Sequence, residues 1–210
     1  MDFSLERPQP VLSSSKPIFF EPVVLAWFTK TSPAYSSRTD SLLLVANSPE
    51  GVKAVKAMAS LPSSEQLPII SHWGITGGKF PEEVGLDTLS QVDLRVLQTY
   101  LFEDISNNKL AKNLLDRYKA ATNQTHDFIR AIPGFAHSYD LVQILARAIK
   151  GADQPSRSSI RNALESLPRY QGLIRTYQPA FTSKRHEALE RKDYSIARYN
   201  QQGFIIPWSQ

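Results

Sequence analysis

Cysteine is absent from the 210-residue chain. Its absence excludes disulfide bonds, Cys-ligated zinc and thiol catalysis, and it suits either a reducing cytosol or an exported protein without disulfides. Long hydrophobic runs are also lacking, since no stretch approaches the roughly 20 apolar residues that a membrane span needs. Residues 1–16 show no basic start followed by the apolar core of a signal peptide. The sequence therefore predicts no membrane span and carries no targeting signal that we detect.

Positive charge is in excess, but only locally. The formal net charge is +4, and residues 147–198 hold eleven Lys or Arg against five Asp or Glu, so the remainder is slightly acidic. Nucleic-acid-binding surfaces carry dense basic runs interleaved with aromatic residues, which this segment lacks. We interpret it as a solvated basic face and predict no nucleic-acid partner.

Motifs for catalysis or metal binding are missing as well. The chain contains no G-x-S-x-G, H-E-x-x-H, Walker or G-x-G-x-x-G pattern, and its GITGG stretch has the wrong spacing for the last of these. The four histidines, at positions 72, 126, 137 and 186, show no metal-ligand spacing. The sequence thus favours binding without chemistry, with no enzymatic activity, no cofactor and no metal.

Strand and helix patterns alternate from Ser41 onward. SLLLVA (41–46), LPIIS (67–71) and VDLRVLQTY (92–100) are typical of strands, and the first two are apolar enough to be buried on both faces. Asn47 and Ser48 precede a proline and an acid, which predicts a helix start. PEEVG and residues 107–121 predict further helices. This order is typical of parallel β-α units, so the predicted class is α/β.

Two later helices differ in character. NNKLAKNLLDRYKAA (107–121) is amphipathic, with an inner face that we predict to comprise Leu110, Leu114, Tyr118 and Ala121. YDLVQILARAIKG (139–151), after a break at 130–138, is apolar on every side except a narrow strip of Gln143, Arg147 and Lys150. Such a helix needs cover on most of its faces.

Three loops are candidates for a ligand site, because ligands of open parallel sheets lie beyond the carboxyl ends of the strands. They span 46–50, 71–78 and 98–102. A helix N-terminus at the first loop favours an anion, and the His-Trp pair of the second offers a hydrogen-bonding group and a flat wall. The candidate ligand-binding residues are Asn47, Ser48, His72, Trp73, Gly74, Thr99, Tyr100 and His137.

Each candidate also has a structural alternative. Asn47 and Ser48 are good helix caps and would be favoured there for that reason alone. Trp73 could simply close a lobe surface. His72 and His137 could serve as structural hydrogen-bonding groups rather than ligand contacts.

Six ordered segments carry a resemblance to a known family. LLLVANSPEGVKAVKAMASL, LPIISHWGITGGKF, VLQTY, GFAHSYDLVQILARAI, ALESLPRYQGLIRTYQPAFTSKRHEAL and DYSIARYNQQGFIIP resemble the C-terminal portion of periplasmic substrate-binding proteins of branched-chain amino acid type ABC transporters. The similarity extends over about residues 39–207. It implies the type I periplasmic binding protein fold, in which two α/β lobes close on a small solute and deliver it to a membrane permease.

The resemblance also implies a domain plan. Residues 1–38 would be a leader or linker with an irregular first strand, 39–128 the parallel-sheet, Rossmann-like core of the second lobe, 129–178 a part of the first lobe, and 179–210 the return to the second. The implied function is that of an extracytoplasmic, periplasmic solute-binding component, or a fragment of one. Its implied partners are a small solute and the cognate ABC permease.

Two consequences follow from the resemblance. If the sheet of the first lobe lies outside this chain, the apolar helix at 139–151 must repack, self-associate or be covered by a separate first-lobe polypeptide. In amino-acid-binding members the loop matching 71–75 presents an acid, whereas here it holds His72 and Trp73, so a carboxylate, amide or aromatic solute fits at least as well as an amino acid. The alternatives left open are a ligand-sensing receptor module, a small α/β enzyme and a truncated non-binding remnant.

Overall fold

A computed structural model describes residues 24–29, 39–102, 105, 107–125 and 129–208. Most of the predicted leader, residues 1–23 and 30–38, lies outside the described residues. The first described strand, β1 (Val24–Thr29), is at the edge of the main sheet, where it pairs antiparallel with β2 (Thr39–Val45) and has a register shift at its end. This strand therefore pairs on one side only, with β2.

The main sheet has six strands in the order β1-β2-β3-β4-β7-β8. Its centre is parallel: β2 pairs with β3 (Ile69–His72), and β3 pairs with β4 (Leu94–Gln98). The antiparallel hairpin β7 (Ser195–Tyr199) and β8 (Ile205–Pro207) extends the sheet beyond β4. The predicted α/β class and the three parallel strands are confirmed, and the C-terminal tail completes this sheet.

Helices α1 (Ser48–Ala59), α2 (Phe80–Val84) and α3 (Leu86–Gln91) pack on one face of the sheet. Every second residue of each central strand points into this core, including Leu44, Ile69 and Val96, each with 0% exposure. The predicted burial of both sheet faces is wrong for β2, because Leu43 is half-buried and Val45 is 49% exposed. Helix α3 was not predicted from the sequence.

Helix α4 (Lys109–Thr122) buries Ala111 and Leu115. The predicted inner residues Leu110, Leu114 and Tyr118 are half-buried beside these two, in contact with the start of the next helix. The fourth predicted inner residue, Ala121, is exposed. That prediction is wrong because the last turn of α4 extends past the segment that covers its first turns.

Helix α5 (Ile132–Gly151) is longer than predicted, since the segment read as a break forms its first two turns, with Pro133 in the first turn where no backbone donor is needed. It packs against α6 (Arg157–Glu165) and a two-stranded hairpin, β5 (Tyr170–Gln171) and β6 (Thr176–Tyr177). These elements share a separate small core around Ile144, Ala148 and Leu167. The division of the chain into lobes stays a prediction.

Candidate functional site

The carboxyl ends of β2, β3 and β4 lie at one edge of the sheet, because the three strands are parallel neighbours. Beyond β2 the chain enters α1, and beyond β3 it forms a 3-10 turn at Trp73–Thr76. Beyond β4 it continues through Thr99 and Tyr100. The three predicted loops therefore emerge side by side.

The glycine-laced loop after β3 packs against the start of α1. A Cβ added to Gly51 would lie 2.9 Å from Cγ2 of Ile75, so only a glycine lets the first turn of α1 approach the loop this closely. At the far end of the loop, Gly78 has a φ of +61°. A Cβ added to Gly78 would lie 3.7 Å from the hydroxyl oxygen of Ser48, so this end of the loop is next to the start of α1. Part of this loop's small-residue character thus serves internal packing.

His72 is held by its own turn. Its Nδ1 accepts a hydrogen bond of 2.9 Å from the backbone N–H of Gly74, whose ideal Cβ would lie 2.1 Å from the imidazole ring. Because Nδ1 accepts, the neutral ring carries its proton on Nε2. The Gly74 N–H is therefore used within the turn, while the Nε2–H of His72 is the group that can be offered to a ligand.

Three predicted residues from distant parts of the chain meet at this edge. Thr99 Oγ1 and His137 Nε2 are 2.8 Å apart, within hydrogen-bond distance. The His137 ring is 6.1 Å from the Trp73 ring, centroid to centroid, and Trp73 also contacts His72 edge to face at 6.4 Å. The Trp73 ring further approaches the start of α5 at Gly134. The turn after β3, the end of β4 and the second turn of α5 thereby come together, with Thr99 buried (6% exposed) and the Trp73 and His137 side chains half-buried.

The other predicted residues are placed less centrally. Asn47 is exposed and occupies the cap position of α1 without a side-chain cap bond. Tyr100 packs among apolar residues of α4 and α5, with its ring 5.4 Å from Phe102. Two clefts of about 280 and 320 Å³ elsewhere on the described surface are lined by none of the eight predicted residues. The surface around Trp73 lies outside both clefts.

Burial controls the protonation of this surface. Desolvation lowers the pKa of His137, and the nearby Asp140 carboxylate opposes that shift. Desolvation, reinforced by the same carboxylate, raises the pKa of Tyr100 to about 12. Burial thus favours the neutral forms of both side chains, and neutral His137 can exchange a hydrogen bond with Thr99 without carrying charge.

Asp140 is a buried carboxylate that the sequence interpretation missed. It is 1% exposed and accepts hydrogen bonds from the backbone N–H groups of Leu173 and Ile174, at 2.6 and 3.0 Å, and from the Tyr177 hydroxyl at 2.9 Å. Burial of the Tyr177 hydroxyl, reinforced by the charge of Asp140 and by the hydrogen bond to it, raises the pKa of Tyr177. Asp140 lies less than one turn after His137, so it fixes the part of α5 that reaches the candidate site. An acid within an otherwise apolar helix was the signal that could have revealed it.

Gln98 is a second missed polar residue. It continues the inward series Leu94 and Val96 at the carboxyl end of β4, it has 0% exposure, and neither atom of its carboxamide has a hydrogen-bond partner within the described residues. Buried amides are usually paired. A polar residue at an inward strand position was the available sequence signal.

No protein-family model matches the chain, and no curated protein matches it. Solved structures do. A type 1 periplasmic binding protein of Bordetella pertussis is similar over 81% of this chain and 46% of its own, with a TM-score of 0.65 and 19% identity. A branched-chain amino acid transporter substrate-binding protein of Streptococcus pneumoniae, solved with isoleucine, is similar over 81% and 45%, with a TM-score of 0.57 and 16% identity.

A fatty acid ABC transporter substrate-binding protein of Thermomonospora curvata is similar over 82% of this chain and 43% of its own, with a TM-score of 0.61 and 15% identity. The chain therefore has the fold found in a type I periplasmic binding protein lobe, as the sequence resemblance implied, and it spans less than half the length of these neighbours. Among the described helices, none combines the length and apolar character that crossing a membrane requires.

Proposed function

We propose that this chain is the solute-binding component, or a part of it, of an ABC transporter of the branched-chain amino acid type. It holds a small solute against the edge formed by the ends of β3 and β4 and the start of α5, and it does so without chemistry. The proposal places the protein in the periplasm, with a membrane permease as its partner. The names of the structural neighbours, which are transporter substrate-binding proteins, support this role.

One observation carries the proposal: the contact of Thr99 with His137 beside the Trp73 ring. Thr99 follows a strand of the main sheet, whereas His137 lies on a helix whose C-terminal part belongs to the second core. In the proposed two-lobed arrangement, these residues lie where the lobes meet. A cleft between lobes is the place where a solute can be enclosed by hinge closure.

The chemistry of this wall suggests the solute class. In this proposal Trp73 presents a flat apolar face, and His72 offers its Nε2–H as a hydrogen-bonding group. Thr99 is buried (6% exposed), and its hydroxyl contacts His137 rather than the solute. The one carboxylate described within this part of α5, Asp140, is occupied by three donors. We therefore favour a small carboxylate, an amide or an amino-acid-like solute with an apolar or aromatic body.

Isothermal titration of the two-lobed protein tests this function. The panel comprises isoleucine, leucine, octanoate, benzoate and benzamide, and we expect at least one to bind. Trp73→Ala should weaken that binding about tenfold or more, which corresponds to about 1.4 kcal/mol. The matched control is Trp208→Ala, because Trp208 stacks on Arg95 (4.7 Å) at the opposite part of the sheet.

Each result has a defined meaning. Equal affinities of the Trp73→Ala variant and the wild-type protein would remove Trp73 from the site. A folded two-lobed protein that binds none of the five compounds would argue for the non-binding remnant.

A ligand-sensing receptor module is the second candidate. A neighbour from Rhodopseudomonas palustris is named an extracellular ligand-binding receptor, with 16% identity and a TM-score of 0.58. The two candidates share the same wall and differ in the downstream partner. A signalling domain encoded in continuation of this chain would favour the sensor.

A further inference from the structure

A cleft rich in arginine lies beside the β5-β6 hairpin and the segment that follows it. Its volume is about 320 Å³, and Arg169, Arg175 and Arg185 line it, so we call it the arginine cleft. The three side chains come from the residue before β5, the residue before β6 and a turn that follows the hairpin. None of the eight candidate solute-binding residues lines it, so the arginine cleft is a site separate from the proposed solute-binding edge.

Arg185 is held in place by neutral groups of the backbone. Its half-buried guanidinium donates hydrogen bonds to the carbonyl oxygens of Pro179, at 2.7 Å, and of Glu187. Its own backbone N–H donates to the Thr182 hydroxyl at 3.0 Å, within a tight turn. None of the described carboxylates forms an ion pair with Arg185. A guanidinium has more N–H donors than these bonds use, so a fixed positive charge with free donors lines the cleft.

Arg175 differs from Arg185 because its charge is already balanced. Its side chain is 16% exposed and pairs with Glu190 at 3.0 Å and with Asp193 at 2.5 Å. Glu190, which also lines the cleft, pairs in addition with Lys192 at 2.9 Å. Two cations therefore face two carboxylates in one network. This network forms a neutral wall of the cleft and does not cancel the charge of the other two arginines.

Arg169 carries the second unbalanced charge. It is exposed, and it forms no ion pair with a carboxylate in the part of the chain that the structure describes. Lys184 and Glu187, which are close to Arg185 in the sequence, have opposite charges and do not line the cleft. The arginine cleft therefore holds two positive charges, on Arg169 and Arg185, that no described carboxylate contacts.

We infer that the arginine cleft binds a small phosphate-bearing anion, such as inorganic phosphate or a phosphate monoester. A phosphate monoester carries about −1.5 to −2 charges at pH 7, which matches the two unbalanced arginines. Planar guanidinium groups donate paired hydrogen bonds to phosphate oxygens, a geometry that lysine does not offer. The volume of the cleft is near the lower end of the range for small-molecule sites, which begins at about 300 Å³. Part of the basic segment 147–198 thus has a binding role.

Isothermal titration of the 210-residue chain tests this inference. The probes are inorganic phosphate, glycerol 3-phosphate and succinate, which is a dianion without phosphorus. We expect at least one of the two phosphates to bind, to bind more tightly than succinate, and to lose affinity as the NaCl concentration rises, because salt screens charge. Equal or tighter binding of succinate would overturn the inference, and so would the failure of both phosphates to bind. In the second case, binding of phosphatidylglycerol vesicles would assign the cleft to lipid headgroups instead.

Single substitutions locate the binding site. Arg169→Gln should weaken the binding of the phosphate probe about tenfold or more, because it removes a charged donor, while the circular dichroism of this exposed, unpaired position stays unchanged. Arg185→Gln should weaken it by a similar factor. The matched control is Arg157→Gln, which removes the same charge from an exposed position on α6 outside the cleft. Equal affinities of the Arg169→Gln and Arg157→Gln variants would show attraction by net charge alone and would overturn the inference.

This result is separate from that of the solute titration. The phosphate probes are not members of the solute panel, and the substituted arginines are not among the candidate solute-binding residues. Loss of phosphate binding in Arg169→Gln therefore supports the arginine cleft whether or not a solute binds at Trp73.

Discussion

Asp140 ties α5 to the turn between β5 and β6. It is a buried acceptor of three hydrogen bonds, and the backbone donors come from the turn that the hairpin needs in order to close. Gly172 in that turn has no room for a side chain, since its ideal Cβ would lie 2.6 Å from the carboxylate. A single side chain thus sets the distance between the helix and the hairpin.

Replacing Asp140 with Asn should destabilise the protein strongly. The asparagine side chain keeps one acceptor oxygen. Its NH₂ group takes the place of the second carboxylate oxygen, which in the wild-type protein accepts hydrogen bonds. Each buried donor left without an acceptor costs about 1–3 kcal/mol. Urea unfolding followed by circular dichroism measures the change, with Asp153→Asn, an exposed acid just after α5, as the control. Equal stability of the two variants would contradict this role of Asp140.

Helices α1 and α4 have the same residue type at the N-cap, but the two cap side chains form different contacts. Both α1 and α4 follow an asparagine at the cap position. Asn108 accepts a hydrogen bond of 3.0 Å from the N–H of Ala111, whereas the side chain of Asn47 makes no cap bond. Only one of the two asparagines therefore stabilises its helix through its side chain.

Removing each cap should distinguish them. Asn108→Ala is expected to lower the free energy of unfolding by about 1 kcal/mol, the usual value for a lost N-cap. Asn47→Ala should lower the free energy of unfolding by only a few tenths of this value, because its side chain makes no cap bond. Thermal or urea unfolding of both variants provides the comparison, and a larger loss for Asn47→Ala would show that its side chain has a role that the cap geometry does not reveal.

At the scale of the whole molecule, the described residues form four apolar clusters, and the end of β4, which belongs to the main sheet, meets α5 at Thr99 and His137. The hydrogen bond between Thr99 and His137 spans this junction, and burial lowers the pKa of His137. A histidine with a lowered pKa in the folded state binds fewer protons there than in the unfolded state. Stability therefore rises with pH between the lowered pKa and the unfolded value near 6.5.

The contribution of His137 should be fully present above about pH 6.5 and should be lost as the pH falls through its folded-state pKa. We expect His137→Gln to reduce the loss of stability on going from pH 7 to pH 5, measured by urea unfolding at each pH. His186→Gln is the control, because His186 is exposed. The same pH dependence in His137→Gln and in the wild-type protein would exclude His137 as a source of it.

Several expectations were correct because they depend on local signals. Short apolar runs, the proline that follows Asn47 and Ser48, and the glycine that ends PEEVG predict β2 to β4, α1 and α2 near their observed positions. The prediction of a break at 130–138 is wrong because the helix begins at Ile132, and Pro133 suits the first turn of a helix. Ala121 was misjudged because periodicity shows which face of a helix is apolar but not how far its cover extends.

The order of residues is sufficient to specify the α/β class, the parallel strands and the group of loops at their carboxyl ends. These features follow from periodicity, capping and chain direction, which act over a few residues at a time. The pairing of Thr99 with His137 and the occupation of Asp140 by the turn after β5 are properties of the folded chain. Each depends on how segments more than 30 residues apart pack in space, and no local pattern encodes that packing.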